Sequence, residues 1–403
     1  MRSTRAARRA LSSLARVVDE LPERMRAVHI RTVGSNGGPE ALEPTLLPLP
    51  WDELTPTSVI VRTRYAGVNR PDILQRRGLY PPPPGHSTLP GLEVSGTIVA
   101  AGADVVLAGP ISLGAEVCAL TNGGGYAEFV SVDVSACLPL AGSGLSAREA
   151  ACVPETFCTV WHNVFGQCNA FGERLLQRGG ASIPPSLLVH GGSSGIGTAA
   201  IAMGSALGVD VYATAGTAAK CDACVALGAR AAFNYRDDPR WDITLRAERA
   251  ERGVDVVLDM VGPAYLARNL TSLASGGRVA MIGLLGGHRV SSGGRTGGLD
   301  RGGASDPAAA VEEEDAAPPP LSLAPLLARQ LSVGGATLRP LGVAAKARIV
   351  AELRAAVWPH VEAGDVRVVV DSVFDLDDAA SAHRRMESGE HIGKIALRVA
   401  GEE

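Results

Sequence analysis

Leu187-Leu188-Val189-His190 runs directly into Gly191-Gly192-Ser193-Ser194-Gly195-Ile196-Gly197 and then into the helical stretch AAIAMGSALG. An apolar strand, a glycine turn and a helix of small residues leave few folds open. Glycines let the backbone approach a pyrophosphate, and a helix N-terminus offers unpaired N–H donors and a favourable dipole. The spacing is not a strict GxGxxG, and a turn of this kind also closes structural βα units in other doubly wound folds. The downstream text narrows the choice. VDVYATA (209–215), AAFNY (231–235), VDVVLDMVG (254–262), RVAMIGLL (278–285) and SVGGATL (332–338) are apolar strands, most of them separated by helical stretches. Near-continuous apolar strands alternating with amphipathic helices predict an α/β, Rossmann-type doubly wound parallel sheet covered on both faces.

The text before this region differs. MRAVHI (25–30), TSVIVRTRYAGV (57–68), GTIVAAG (96–102), AEVCAL (115–120) and GYAEFVSV (125–132) are short, β-rich and separated by turn residues. They predict a strongly twisted, mostly antiparallel β domain over 25 to about 150. The tail from about Pro340, with VRVVVDSVFDLDDA and IGKIALRV, returns to this character and is expected to rejoin that domain. The 403 residues suffice for both units.

Two segments fall outside this pattern. Residues 288–320 are Gly/Ser-rich, carry the acidic run Glu312 to Asp315 and end in three prolines without any aromatic residue. Such text cannot bury enough apolar surface to fold, so a disordered surface insertion is expected. In residues 1–24, Arg2, Arg5, Arg8, Arg9 and Arg16 precede any acid, with Ser3, Ser12 and Ser13 interleaved. That is the pattern of an organelle transit peptide or of an extension without consequence, so a cytoplasmic or a mitochondrial matrix location follows.

Charge and cysteine usage exclude several classes. A formal net charge of −4 gives no basic surface for nucleic acid or an anionic membrane, and no apolar stretch is long enough to span a bilayer. Seven scattered cysteines do not form a disulfide framework. Cys221 and Cys224 make half of a metal site, but no second pair of ligands follows, and their spacing suits two small apolar residues on one helix face.

The second strand decides the cofactor. NAD-binding folds usually end it with Asp or Glu to accept the ribose 2′-hydroxyl. Here it ends Tyr212-Ala213-Thr214-Ala215-Gly216-Thr217, without an acid. Lys220 follows, and a positive group there suits a 2′-phosphate, although a surface lysine would read the same. Tyr235, ending the third strand, offers a phenolic donor. NADPH is the expected cofactor. Its candidate contacts are Gly192, Ser193, Ser194, Gly195, Ile196, Gly197, Gly216, Lys220 and Tyr235, with Gly283 and Leu284 after the fifth strand.

AGVNRPDILQRRGLYPPPPG (66–85), LPGLEVSG (89–96), NGGGYAEFV (122–130), PETFCTVWHNVF (154–165), VHGGSSGIG (189–197), NYR (234–236), DMVG (259–262) and HIGKI (391–395) together carry a resemblance over Met25 to Val399. The chain resembles the quinone oxidoreductase branch of the medium-chain dehydrogenase/reductases, which includes zeta-crystallin, and within it the stress-inducible quinone oxidoreductases. The resemblance implies a GroES-like catalytic domain (25–154 and 339–403) interrupted by the Rossmann domain (155–338), with the active site in the cleft between them. It also implies Asn69 and Tyr80 beside the nicotinamide as catalytic candidates, Asn69 and Thr159 as cofactor contacts near its reactive end, Ser193, Lys220 and Tyr235 at its phosphates, and a homodimer. Asn69 as a turn residue, Tyr80 as a core-edge aromatic and Thr159 as an ordinary helix residue remain open.

The departures are as informative. Zinc alcohol dehydrogenases place a Cys after the first catalytic strand and a GHE motif further on, whereas the corresponding text reads Asn69-Arg70-Pro71-Asp72 and Gly91-Leu92-Glu93. Catalytic zinc needs three protein ligands and an open position, so no metal is expected. The resemblance therefore implies direct hydride transfer from NADPH to a quinone, without zinc or flavin. Reduction of the C=C bond of an enone or enoyl thioester is the alternative within enzymes. A low-turnover NADPH-binding sensor or structural protein is the alternative of another class.

Overall fold

The computed structural model describes residues 16–17, 21–31, 37–107, 109–166, 184–289 and 321–400. The strands sort into two large sheets and a ribbon. Strand β1 (Arg16–Val17) pairs antiparallel with Ala100 and Ala101, so one short piece of the N-terminal extension joins a sheet. Most of that extension, and residues 290–320 of the insertion, lie outside the described residues. The ribbon is β2 (Arg24–Ile30) against β3 (Leu42–Pro48).

The first large sheet is built on β4 (Ser58–Val68), which pairs antiparallel with both β5 (Glu93–Ala101) and β7 (Phe129–Asp133). Most of β4 is buried, because its β-branched residues pack on both faces. Beyond β5 lie β6 (Glu116–Leu120) and β8 (Cys137–Pro139). Helix α1 (Arg70–Arg76) leaves the end of β4. Helix α2 (Pro154–Val160) opens with proline, whose missing N–H costs nothing in a first turn.

The second sheet is parallel, in the order β11-β10-β9-β12-β13-β14, with β9 (Ser186–Val189), β10 (Asp210–Ala215), β11 (Ala231–Asn234), β12 (Val254–Asp259), β13 (Leu273–Met281) and β14 (Ser332–Gly335). The strand order reverses between β9 and β12, which is where doubly wound sheets open a ligand crevice. Helices α3 (Gly195–Ala206), α4 (Ala218–Ala226), α5 (Trp241–Glu248) and α6 (Pro263–Ser272) link successive strands. Helix α3 buries eight residues and is mostly Ala and Gly, which lets it lie close to the sheet. On α4, Cys221 and Cys224 are 8% and 1% exposed. The mixed α/β architecture thus pairs a Rossmann sheet with a GroES-like β domain.

The tail adds α7 (Val343–Ala356), β15 (Val370–Asp375), α8 (Ala379–Glu387) and β16 (Lys394–Arg398). Strand β16 pairs antiparallel with β4 and parallel with β15, returning the end of the chain to the first sheet. Among the described residues no helix is long and apolar enough to cross a membrane.

Candidate active site

The glycine turn sits where β9 meets α3. Ser194 caps the helix, its Oγ accepting the Gly197 N–H at 3.0 Å. Gly191 has φ of +60°, the left-handed region that favours glycine. A Cβ on Gly197 would lie 2.3 Å from the Gly191 carbonyl oxygen, and one on Gly192 2.6 Å from the Ala213 Cβ. These glycines bring helix, turn and second strand together. Because the Gly197 contact is with backbone, it cannot be relieved by a rotamer change. Gly197→Ala is expected to lower unfolding stability by about 1–3 kcal/mol and to weaken cofactor binding, both readable by denaturant titration with and without NADPH. An unchanged midpoint would show that the turn has slack.

The turn is clipped to the other domain. The Gly393 N–H, just before β16, donates to the Ser193 carbonyl at 2.8 Å, and Ser194 and Gly393 form an isolated parallel bridge. Behind the turn His190 is fully buried, and burial lowers its pKa, so the ring is neutral. The Asn269 Nδ2 donates to Asp259, leaving its Oδ1 to accept from His190 Nε2 at 2.7 Å. His190 Nδ1 then accepts from the Thr214 hydroxyl at 2.9 Å. Asp259 in turn accepts the Val261 and Gly262 N–H groups, fixing the turn after β12. Gly283 and Leu284 lie against that turn, the Leu284 side chain 2.9 Å from a Cβ built on Gly262.

Gly216 follows the end of β10 and meets Tyr235, and Lys220 lies in the first turn of α4 just beyond. A Cβ on Gly216 would meet the Tyr235 hydroxyl at 2.6 Å, so glycine is what gives the phenol its place. Lys220 is half-buried, with its Nζ donating to the Gly389 carbonyl at 2.5 Å. Burial, then Arg236 and Arg385, push its pKa down, while Asp371 and Glu390 oppose the shift. Sequence reasoning missed these two arginines. Arg236 stood in the NYR stretch, but nothing local placed Arg385 nearby.

Asn69 is at the centre of the second group. It is 6% exposed at the N-terminus of α1, its N–H donating to Asp72 Oδ2 at 2.8 Å. Its Nδ2 donates to Glu93 Oε1 at 2.9 Å, and its Oδ1 accepts from Lys394 Nζ at 2.6 Å. Lys394 Nζ also donates to the Val68 carbonyl and pairs with Glu93 Oε1 at 2.6 Å. All three ammonium donors are therefore used, as burial at 3% exposure demands. Glycine at 67 admits the pair: a Cβ there would lie 2.2 Å from Glu93 Oε1.

A buried chain supports this corner. Arg76 can only donate, so His383 Nδ1 accepts at 3.0 Å and His383 Nε2 donates to Tyr126 Oη at 3.0 Å. The Tyr126 hydroxyl then points at Asp72 Oδ2, 3.5 Å away. Burial raises the Asp72 pKa to about 6, against the opposing Gly91 and Asn69 N–H groups.

Tyr80 does not join the Asn69 network. Its half-buried ring lies under Arg339, 5.4 Å from the guanidinium carbon. Arg339 is held by Gln75 Oε1 at 2.7 Å and the Asn122 carbonyl at 2.9 Å. Lys346 on α7 hydrogen-bonds to the Asn122 side chain and to the Arg339 carbonyl. Thr159 is half-buried on α2, four residues after Glu155, so the two share a helix face. Burial first, then Glu93, raises the Glu155 pKa to about 8. Glu93, Glu155 and Lys394 stood in the recurring stretches, yet only long-range packing reveals them as one group.

Residues 227–397 match the family model described as zinc-binding dehydrogenase, and 55–162 match the alcohol dehydrogenase GroES-like domain. A solved NAD-dependent alcohol dehydrogenase is 30% identical, covering 93% of this chain and all of its own, with a TM-score of 0.69. The quinone oxidoreductase of Thermus thermophilus, solved alone and with NADPH, is 28% identical, covering 93% of this chain and all of its own, with a TM-score of 0.64. The quinone oxidoreductase of Rattus norvegicus is 30% identical over 266 residues, covering 65% of this chain and 74% of the rat protein. The chain belongs to the quinone oxidoreductase branch of the medium-chain dehydrogenase/reductases.

In this medium-chain reductase, the positions that hold Cys and His in zinc alcohol dehydrogenases are Asn69 and Leu92. Beside Asn69 lies the saturated Lys394 ammonium. Among the described residues no group of three or more His, Cys, Asp or Glu side chains is placed to hold a metal ion. The protein is an oxidoreductase of this family.

Proposed function

We propose that the protein binds NADPH and reduces quinones, without zinc or flavin. The catalytic unit would comprise 25–154 and 339–403, and the cofactor unit 155–338. One observation carries the cofactor choice: a half-buried lysine, Lys220, lies in the first turn of the helix after β10, which ends without an acid, while Gly216 between them leaves room for the Tyr235 hydroxyl. A 2′-phosphate there would accept from Lys220 and Tyr235. The NADPH complex of the Thermus thermophilus relative supports the same choice.

Gly192 to Gly197, with Ser193, Ser194 and Ile196, would hold the pyrophosphate at the N-terminus of α3. Asn69 and Thr159 would border the nicotinamide, and Gly283 and Leu284 the wall beside it. Bound there, NADPH supplies a hydride. Tyr80 would face the substrate. Burial and Glu155 raise its pKa above the ordinary phenol value, so it remains a neutral donor at physiological pH. Arg339 over its ring adds positive potential where an oxygen gains charge.

Purified protein should consume NADPH with ortho- or para-quinones faster than with enones or enoyl-CoA. Faster turnover of an enone or enoyl thioester would move the assignment to C=C reduction, and no turnover with any of them would favour a sensor. Elemental analysis should find no stoichiometric zinc, and a chelator should leave the rate unchanged. One zinc per chain would overturn the metal-free mechanism.

The homodimer belongs to the same proposal. Its support is β14, an outer strand of the parallel sheet among the described residues, with Val333 42% exposed and Leu327 88% exposed in the short helix Ala324–Ala328 before it. An outer strand of this kind invites pairing. Light scattering should give twice the chain mass, and a monomer at micromolar concentration would count against it.

A further inference from the structure

A quinone that accepts a hydride still needs a proton. Quinone, NADPH and one proton give hydroquinone and NADP⁺: the hydride carries two electrons and one hydrogen nucleus, and the second hydrogen must arrive as H⁺ on oxygen. We propose that the Glu155 carboxyl is the acid that delivers this proton, a role that rests on the quinone-reduction reading above.

Three observations place Glu155 at the reacting centre. Its N–H donates to Glu93 Oε2 at 2.9 Å, while Glu93 Oε1 holds Asn69, so a single carboxylate bridges Glu155 to Asn69. It shares a face of α2 with Thr159, one turn further on. It also lies close enough to Tyr80, Arg339 and Lys346 to bias the titration of all three. With 9% exposure, the residue is shielded from solvent. Among the described residues no hydrogen bond occupies its side-chain oxygens, in contrast to Glu93 and Asp72.

The surroundings keep this carboxyl protonated in neutral solution. A carboxylate in the first turn of a helix is normally favoured by the dipole. Here burial and the Glu93 charge outweigh that effect, and Asp72 adds to them. Lys346 from α7 and Lys394 from β16 pull the other way, leaving the pKa at about 8. The remaining ionisable neighbours are Tyr80, Arg339 and Cys158. Burial, together with Glu155, pushes the Cys158 thiol far above its ordinary range, so it stays neutral. After donation, the Glu155 carboxylate is stabilised by the nearby Lys346 ammonium, whose own pKa burial lowers to about 8. Lys346 is then a positioning residue: it stabilises the conjugate base and sets the pH at which the acid is lost.

The test uses the full-length protein with NADPH and a quinone that the wild type turns over. Wild-type kcat should fall as pH rises through about 8, because the acid form is required. Glu155→Gln should lower kcat about 100-fold or more and abolish that fall, with the NADPH dissociation constant, read by fluorescence, within a few-fold of wild type. Glu155→Asp should retain the pH dependence at a reduced rate. Lys346→Met removes a cation and should move the break to higher pH. Independently of turnover, infrared difference spectra in neutral solution should show a protonated carboxylic C=O stretch in wild type that is missing from Glu155→Gln. A wild type that reduces no quinone overturns the functional assignment. An active wild type with an equally fast Glu155→Gln, or with no such C=O band, overturns the role of Glu155.

Discussion

Lys394→Met is expected to destabilise the fold by about 3–5 kcal/mol, the range seen when one member of a buried ion pair is removed. Lys394 and Glu93 side chains are 4% and 0% exposed, 2.6 Å apart. Without the ammonium, Glu93 keeps the Asn69 amide and the Glu155 N–H as donors but loses its only close cation among the described residues. Those neutral donors cannot replace the charge. The same substitution frees Asn69 Oδ1 and the Val68 carbonyl, adding unpaired acceptors to the cost. Adding Glu93→Gln to Lys394→Met removes the stranded charge and should recover about 1–3 kcal/mol. Urea unfolding of wild type, both single variants and the double variant reads the coupling. A Lys394→Met midpoint indistinguishable from wild type would mean that water reaches the pair.

Lys220→Ala should raise the Michaelis constant for NADPH by about 10- to 150-fold, the equivalent of a charge-assisted contact worth roughly 1.5–3 kcal/mol. NADH should be affected little, because it lacks the phosphate. Burial, then repulsion from Arg236 and Arg385, depresses the Lys220 pKa, although Asp371 and Glu390 partly compensate. A phosphate dianion would relieve that repulsion, so the preference for NADPH should weaken with added salt. Equal wild-type constants for the two cofactors would refute the assignment of this pocket.

The parts of the sequence that revealed most were those governed by local patterning. Apolar runs such as Leu187–Val189 and Val256–Leu258 are buried central strands, and the glycines at 191, 192 and 197 form the tight turn their spacing suggested. The separation of Asn69 from Lys394 by 325 residues is of another kind. Nothing near Lys394 distinguishes it from a solvated lysine until β16 is paired with β4. Glu155 likewise reads as an ordinary first-turn acid, because its burial comes from elements far away in sequence. Residue type and local spacing can suggest that Tyr80 or Lys220 meets a ligand, but they do not specify which buried carboxyl faces which cation.

The position of β16 has a consequence for biosynthesis. This strand lies inside the first sheet, between β4 and β15, although it is synthesised long after β4 and β5. The parallel sheet, from β9 to β14, is encoded contiguously and can assemble while translation continues. The other sheet must hold β4 and β5 without their partner until more than 390 residues have been made. A nascent chain would therefore carry a nucleotide fold before it carried an active site, with the flank of β4 exposed to chaperones in the interval. Loss of the residues from Lys394 onward would remove that lysine and its strand together, leaving β4 without its partner and Glu93 without its buried cation.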